Sequence, residues 1–388
     1  MKRFRIAHVI TRLCKGGAQE NTFHSVRLAN RDRYEADLFS GPTFGDEGSI
    51  EDAVRAAGIE IVRVPHLVRR VAPISDLLAL RELQRLFGMR RYDIVHTHTS
   101  KAGFLGRLAA RRTGVPIVVH TPHGNIFDGY FNRWTTRLFI GMERYAARYA
   151  DRIIELTPGG IEAHLERNIG RREQFEVVFS GIDLTPFDSA RARRDETRRT
   201  LGFPADTFLV GAVGRLEPIK GFAYFVEAAH MVAERLPKAQ FLVAGQGSLE
   251  QELRAISAPL GDRFRLLGPR SDVPAIMAAL DVFVLASLNE GMGRVLLEAG
   301  AAGVASVASR VGGVPEIVEE GKTGLLVPPR DPKAIAGAIC ALAADDARRK
   351  AMGEAARAKI VPGYGIERMQ EKIESLYEAL IKEKQLDT

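Results

Sequence analysis

Short apolar runs alternate with amphipathic stretches along almost the whole chain. Phe4–Ile10 has strand length and composition, a polar loop with Lys15-Gly16-Gly17-Ala18-Gln19 follows, and a helical pattern runs from Glu20 to about Ala29. Strands are expected again at Ala36–Phe39, Ile59–Val64, Tyr92–His96, Ile117–His120 and Arg152–Leu156, and helices at Leu77–Phe87, Ala102–Arg112 and Trp134–Tyr149. That alternation predicts βαβ units and a parallel sheet. A further strand near Val177 ends in Ser180-Gly181-Ile182-Asp183. The charged segment Arg191–Arg199 shows no apolar face before Leu201, so it reads as an inter-domain linker and a solvated helix.

A second alternation then begins. Strands are expected at Phe208–Val213, Gln240–Ala244, Phe264–Leu267, Asp281–Ala286 and Val304–Ser309, with Gly324–Val327 last. Helices are expected at Phe222–Arg235, Val273–Leu280, Pro332–Ala343 and Ala347–Ile360. Beyond Pro362-Gly363, Ile366–Glu383 is long enough to pack back across the first domain. At 388 residues the chain exceeds one ordinary core. The expected fold is α/β, two doubly wound Rossmann-like domains facing a cleft: residues 1–187 with 366–388 returning, and residues 188–365.

Composition narrows this picture. Hydrophobic content of 46% and charged content of 27% suit a globular protein. Cys14 and Cys340 form no spaced pair, so a reducing compartment fits and a disulfide framework or zinc knuckle does not. No apolar stretch approaches the roughly 20 residues that span a bilayer, and Ile6–Ile10 is too short for a signal segment. The expected location is cytoplasmic, with peripheral contact on the inner face of a membrane as a further reading. The net charge of +7 sits in residues 1–180, the remainder being close to neutral. A basic half suits an anionic lipid surface, a phosphorylated substrate or merely a solvated Arg-rich surface. Nucleic acid is not expected, because no nucleic-acid-binding signature is present. The basic-apolar loop from Pro65 to Pro73 reads either as a lipid contact or as a plain surface connection.

The candidate chemistry lies at strand ends. In Asn289-Glu290-Gly291-Met292-Gly293-Arg294-Val295-Leu296-Leu297-Glu298, one acid follows a buried strand and a second rides the next helix. Open α/β sheets bind ligands outside the carboxyl ends of their strands. Glu298 is placed to accept hydrogen bonds from a vicinal diol such as ribose, and Glu290 lies nearer the reacting sugar. The rival reading makes Glu290 a helix cap and Glu298 an exposed helix acid. Arg215 and Lys220 share the loop Gly214-Arg215-Leu216-Glu217-Pro218-Ile219-Lys220-Gly221, a fork of donors beside a point charge, which suits a diphosphate. Gly16, Gly17, Gly291 and Gly293 can bring backbone N–H groups to the same anion. No D-x-D motif is present to hold a metal. Neither glycine loop has the spacing of a dinucleotide fingerprint or a P-loop, so a nicotinamide dehydrogenase is not supported. Of nine histidines, all but His230 fall in the first half. His96, His98, His120 and His123 near two strand ends read as a metal site or, without acidic ligands at metal spacing, as hydrogen-bonding groups, with His98 and His123 assigned to the acceptor.

These motifs come in a familiar order. Gly16-Gly17, H-T-H-T-S-K-A-G at 96–103, H-T-P-H-G at 120–124, S-G-I-D at 180–183, G-R-L-x-P-x-K-G at 214–221, E-G-M-G-R-V-L-L-E at 290–298 and V-G-G-V-P-E-I-V-x-x-G-K-T-G-L-L-V-P-P at 311–329 resemble the family-4 retaining glycosyltransferases of GT-B fold, over essentially the whole chain. The resemblance implies a nucleotide-sugar donor held by the C-terminal domain and an acceptor held by the N-terminal one. It implies that Arg215 and Lys220 hold the diphosphate and Glu298 the ribose. Glu290 would contact the donor sugar, with the amides of Met292, Gly293 and Arg294 nearby. His123 would stand at the reacting centre, Gly17 would lend its amide to the phosphate, and Arg270 would neighbour the base. The catalytic set is then His123, Glu290, Arg215 and Lys220, with no carboxylate nucleophile and no metal or other cofactor. One departure stands out: where the family often has E-A-M-A, this chain has Glu298-Ala299-Gly300-Ala301, and a glycine inside a helix costs about 1 kcal/mol relative to alanine.

The expected activity is metal-independent retaining transfer from a UDP-sugar first, or a GDP-sugar second, to a lipid-linked or cell-envelope glycan. A nucleotide-sugar epimerase and a non-catalytic nucleotide-sugar-binding protein are the alternatives on the same architecture.

Overall fold

The computed structural model describes residues 2–45, 48–124, 132–204 and 206–387. The chain divides into two compact units, Met1–Gly181 with Ile366–Thr388, and Ile182–Gly365.

The first unit is built on seven parallel strands: β1 (Phe4–Ile10), β2 (Tyr34–Ser40), β3 (Ile61–Arg63), β4 (Ile94–His98), β5 (Ile117–Thr121), β6 (Arg152–Glu155) and β7 (Phe175–Val177). Their order is β3-β2-β1-β4-β5-β6-β7. The chain works outward from β1 in one direction and then returns to start again at β4, so the switch point lies between β1 and β4. Strands covered on both faces read as near-continuous apolar runs, and Phe4, Ile6, Val9, Ile94, Val95, Ile117 and Val119 are all buried. The terminal helix Ile366–Glu383 closes one face, as its length suggested. Met369, Ile373, Tyr377 and Leu380 pack on Phe4, Tyr34, Ile94 and Ile117, and Arg33 binds Glu378 through two 2.8 Å hydrogen bonds.

The second unit repeats the plan with six parallel strands: β8 (Phe208–Val213), β9 (Ala239–Ala244), β10 (Phe264–Leu266), β11 (Val282–Leu285), β12 (Ala305–Ser309) and β13 (Gly324–Val327). The order β10-β9-β8-β11-β12-β13 puts the switch point between β8 and β11.

Three expectations change. The units divide after Gly181 rather than after residue 187, because the chain leaving one unit and returning to it runs as a pair in which Ile182 N–H donates to Tyr364 O at 2.9 Å. The helix Thr185–Ala192 then packs on Val273–Ala279 inside the second unit. Second, the charged segment before Leu201 is solvated on one side only. Arg198 is 5% exposed, donates to Asp281 Oδ2 at 2.5 Å and caps the carbonyls of Ala279 and Thr207, while Arg194 holds Asp281 Oδ1 at 2.7 Å. Two guanidinium groups thus anchor the helix through one carboxylate, which no apolar periodicity could show. Third, Gly300 has a packing reason. A Cβ there would lie 2.7 Å from Ile360 Cγ1 on the neighbouring helix Asp346–Gly363, so the glycine lets two helices approach closely.

Candidate functional site

In the second unit the loops after β8 and β11 meet at the switch point. Lys220 Nζ lies 2.7 Å from Glu290 Oε1, and Ser287 Oγ donates to the same oxygen at 2.7 Å. The backbones are tied as well: Leu288 N–H donates to Ile219 O at 2.8 Å and Gly313 N–H to Glu290 O at 3.3 Å. Two glycines make this possible. Gly221 stands at φ 64°, and a Cβ would come within 2.1 Å of Ala286 O. Gly312, at φ 47°, would put a Cβ 1.9 Å from Glu290 O. Both positions combine a left-handed backbone with contact against a carbonyl, which only glycine accommodates.

The helix Arg294–Ala301 starts directly after this junction, with left-handed Gly293 as its N-cap and no side-chain cap. The cap reading of Glu290 is therefore not what the structure shows, since its carboxylate is committed to Lys220 and Ser287. Met292, within the loop, is buried. Glu298 lies four residues beyond Arg294, hence on the same side of the helix, and is half-buried. Arg215, on the same loop as Lys220, pairs instead with Glu217 Oε1 at 2.8 Å and is partly exposed. Arg270 follows β10 at the edge of the sheet and forms a two-pronged pair with Asp272 at 2.8 and 2.7 Å. Lys220 and Glu290 are thus directly joined, Glu298 rides the helix that starts beside them, and Arg270 stands two strands away from β8.

The first unit gathers histidines at its own switch point. His8 on β1 pairs in register with His96 on β4, and His98 shares their face two residues on. His8 Nδ1 lies 3.1 Å from His98 Nε2, and His98 Nδ1 lies 2.9 Å from His123 Nε2. His96 is held by the Tyr377 hydroxyl at 2.6 Å and Thr121 Oγ1 at 2.8 Å. Burial drives His8 and His123 down to about 3 and His96 and His98 well below the usual imidazole range, so all four are neutral. Candidate metal-ligand atoms of His8, His96 and His98 fall within 4.8 Å of one another, while His8 Nδ1 and both nitrogens of His96 and of His98 carry hydrogen bonds. His98 is 1% exposed with both nitrogens engaged, so it stands behind His123 rather than against an acceptor. His120 lies on the opposite face, bonded to Thr97 Oγ1 at 2.9 Å. Gly16 and Gly17 begin the helix Gly17–Arg27, whose first amides point out of its N-terminus.

Ser287, His8 and Tyr377 were not legible as site residues. The serine shows no motif, and His8 and Tyr377 become neighbours of the H-T-H strand only through sheet order and the return of the last helix.

The model of the Glycosyl transferase 4-like domain matches residues 6–181, and that of Glycosyl transferases group 1 matches residues 207–345. The chain is 34% identical over 383 residues to the UDP-Gal:alpha-D-GlcNAc-diphosphoundecaprenol alpha-1,3-galactosyltransferase of Escherichia coli, covering 97% of each chain. The chain belongs to the family-4 glycosyltransferases of GT-B fold. It is also similar to the D-inositol 3-phosphate glycosyltransferase of Corynebacterium efficiens, at 30% identity over 84% of this chain and 81% of that one. The Anabaena protein HepE in complex with UDP and glucose shares the fold at a TM-score of 0.82 and 23% identity, over 97% of this chain and all of that chain, 100%. Sucrose-phosphate synthase of Thermosynechococcus elongatus does so at 0.80 and 24%, over 98% and 100%. This glycosyltransferase transfers a sugar from a nucleotide sugar, and among its described residues no helix is long and apolar enough to cross a membrane.

Proposed function

We propose that this enzyme moves a hexose, galactose first among candidates, from its UDP-sugar to a sugar carried on a polyprenyl diphosphate, with retention and without a metal. The observation that carries the reading is the full-length similarity to a galactosyltransferase whose named acceptor is GlcNAc-diphosphoundecaprenol. The second unit supports the donor half. Lys220 and Arg215 supply positive charge for a leaving diphosphate at the strand-end loop of β8. Glu290 faces the donor sugar and Glu298 the ribose. Met292, Gly293 and Arg294 offer amides at a helix start, and in the first unit Gly16 and Gly17 offer amides at the start of their own helix. Arg270 neighbours the base. In the first unit, His123 stands at the reacting centre.

A membrane-borne acceptor asks for a membrane-facing surface. The helix Arg133–Ala147 presents one stripe of exposed residues at 133, 134, 137, 138, 141, 144 and 145, a helical period. Trp134 and Leu138 are each 64% exposed, Arg133 and Arg137 lie over the indole at 4.7 and 5.3 Å, and Arg144 stands about two turns beyond Arg137. Tryptophan ringed by arginine suits the headgroup layer of an anionic bilayer. In the same helical layer, exposed Ile74 and Leu77 follow the basic loop, which itself carries exposed Val71.

Incubation with UDP-galactose and GlcNAc-diphosphoundecaprenol tests the reaction. Disaccharide formation that survives EDTA, with an α-linkage by NMR, is expected. Free epimerised sugar, no turnover with any UDP-hexose, or loss of activity on chelation refutes it. Trp134 is the chain's one tryptophan, so its emission should shift to the blue on phosphatidylglycerol vesicles and not on phosphatidylcholine ones.

A further inference from the structure

The row His8–His98–His123 runs from the buried middle of β1 to the residue read as facing the reaction. Each neutral imidazole has one donor and one acceptor nitrogen. His98 uses both, and this ties its neighbours together. With the proton on His98 Nδ1, His98 donates to His123 and must receive from His8, so all three carry Nδ1–H. With the proton on Nε2, all three carry Nε2–H. A mixed set breaks one of the bonds of 3.1 and 2.9 Å.

His123 itself stands at φ 61°, where a residue with a Cβ stays only if its surroundings hold it. Its remaining nitrogen, Nδ1, is buried and has no partner among the described residues. Whether that nitrogen donates or accepts is set by the row behind it. His96 stays outside the row, because both its nitrogens bind hydroxyls.

We infer that His8 and His98 are positioning residues for transfer: acting as one hydrogen-bonded row, they fix the ring of His123 and select the tautomer it presents. This rests on reading His123 as the residue at the reacting centre. The row moves no net proton in the resting enzyme. It makes the hydrogen-bonding character of His123 a collective property of three side chains, two of them out of reach of any substrate.

The test uses the full-length enzyme with 15N-labelled histidine, whose long-range 1H–15N correlations report each ring's tautomer. His8, His98 and His123 should share one tautomer. In His8→Phe, which keeps the ring shape and removes the nitrogens, the His123 signals should move although His8 does not touch it. Turnover of UDP-galactose with GlcNAc-diphosphoundecaprenol should fall roughly ten-fold, as expected for one lost hydrogen bond, with UDP affinity changed by less than about two-fold. His8→Asn, which keeps a polar group near the Nδ1 position, should return the signals and most of the rate. Mixed tautomers in the native enzyme, unmoved His123 signals in His8→Phe, or stoichiometric zinc held by His8 and His98 would overturn the inference. If that acceptor is not used, the NMR comparison still decides the row, so the two readings fail separately. If His8→Phe melts below the measuring temperature, His8→Leu carries the same comparison.

Discussion

Replacing Glu290 by glutamine should tighten UDP binding while slowing transfer, the reverse of what loss of a binding residue does. Lys220 Nζ is 2.7 Å from Glu290 Oε1, with side chains 23% and 10% exposed. Fully exposed pairs contribute at most about 1 kcal/mol, and breaking a buried one costs about 3–5; a pair of this burial is worth roughly 2 kcal/mol. A diphosphate arriving at Lys220 competes with that pair. In Glu290→Gln the amide oxygen can still accept from Ser287 Oγ, but Lys220 no longer answers a carboxylate. UDP affinity should therefore rise, by up to about 30-fold if the whole pair energy is released. Lys220→Ala should weaken UDP by about 10- to 150-fold, the span of a charged hydrogen bond worth roughly 1.5–3 kcal/mol. The double variant should bind no better than Lys220→Ala alone, because the gain acts through the lysine. Calorimetric titration with UDP at fixed salt reads all four proteins. UDP carries no sugar, so contacts of Glu290 to the donor hexose do not enter. Glu290→Gln binding as weakly as Lys220→Ala would sink the competition argument and put Glu290 itself against the nucleotide.

Acid should unfold this protein through its histidines. The folded pKa of His8 is lowered to about 3 by burial, against roughly 6.5 in the unfolded chain. The unfolded state alone therefore takes up the proton as pH falls below the unfolded value. The loss is about 2 kcal/mol for this residue at pH 5, and His96 and His98 act in the same direction. Melting temperature should drop from pH 8 to 5 and drop less in His8→Asn; a flat profile refutes it. Asp281→Asn leaves Arg194 and Arg198 without their carboxylate and should destabilise by about 3 kcal/mol in urea, whereas a change below about 0.5 would mean that the carbonyls alone hold them. Gly300→Ala should destabilise by about 1–2 kcal/mol despite better helix propensity, because its Cβ meets Ile360. A gain in stability would show that Ile360 yields.

Much of the secondary structure was readable because a parallel sheet buries both faces of its strands. Phe4–Ile10, Phe208–Val213, Phe222–Arg235 and Ile366–Glu383 appear with the bounds their apolar patterns imply. Short or polar elements were not readable: Glu51–Ala56 and Pro158–Leu165 carry too few apolar positions to show a period. The residues proposed for the donor side were legible as types at strand ends, since glycines beside Lys220 and Glu290 mark where backbone meets backbone. Their pairing was not, because 70 residues separate the two acting atoms along the chain.

Sequence alone determined the alternating α/β plan, the return of the last helix and the strand-end loops that carry charge, because each is written in local periodicity and local residue type. Tertiary structure decided which charges are taken. It joined Lys220 to Glu290, turned Arg194 and Arg198 inward on Asp281, and set His8 and His98 in a row behind His123. Those choices depend on strand order and on the desolvation each group meets. Both are properties of neighbours in space, which no stretch of chain contains by itself.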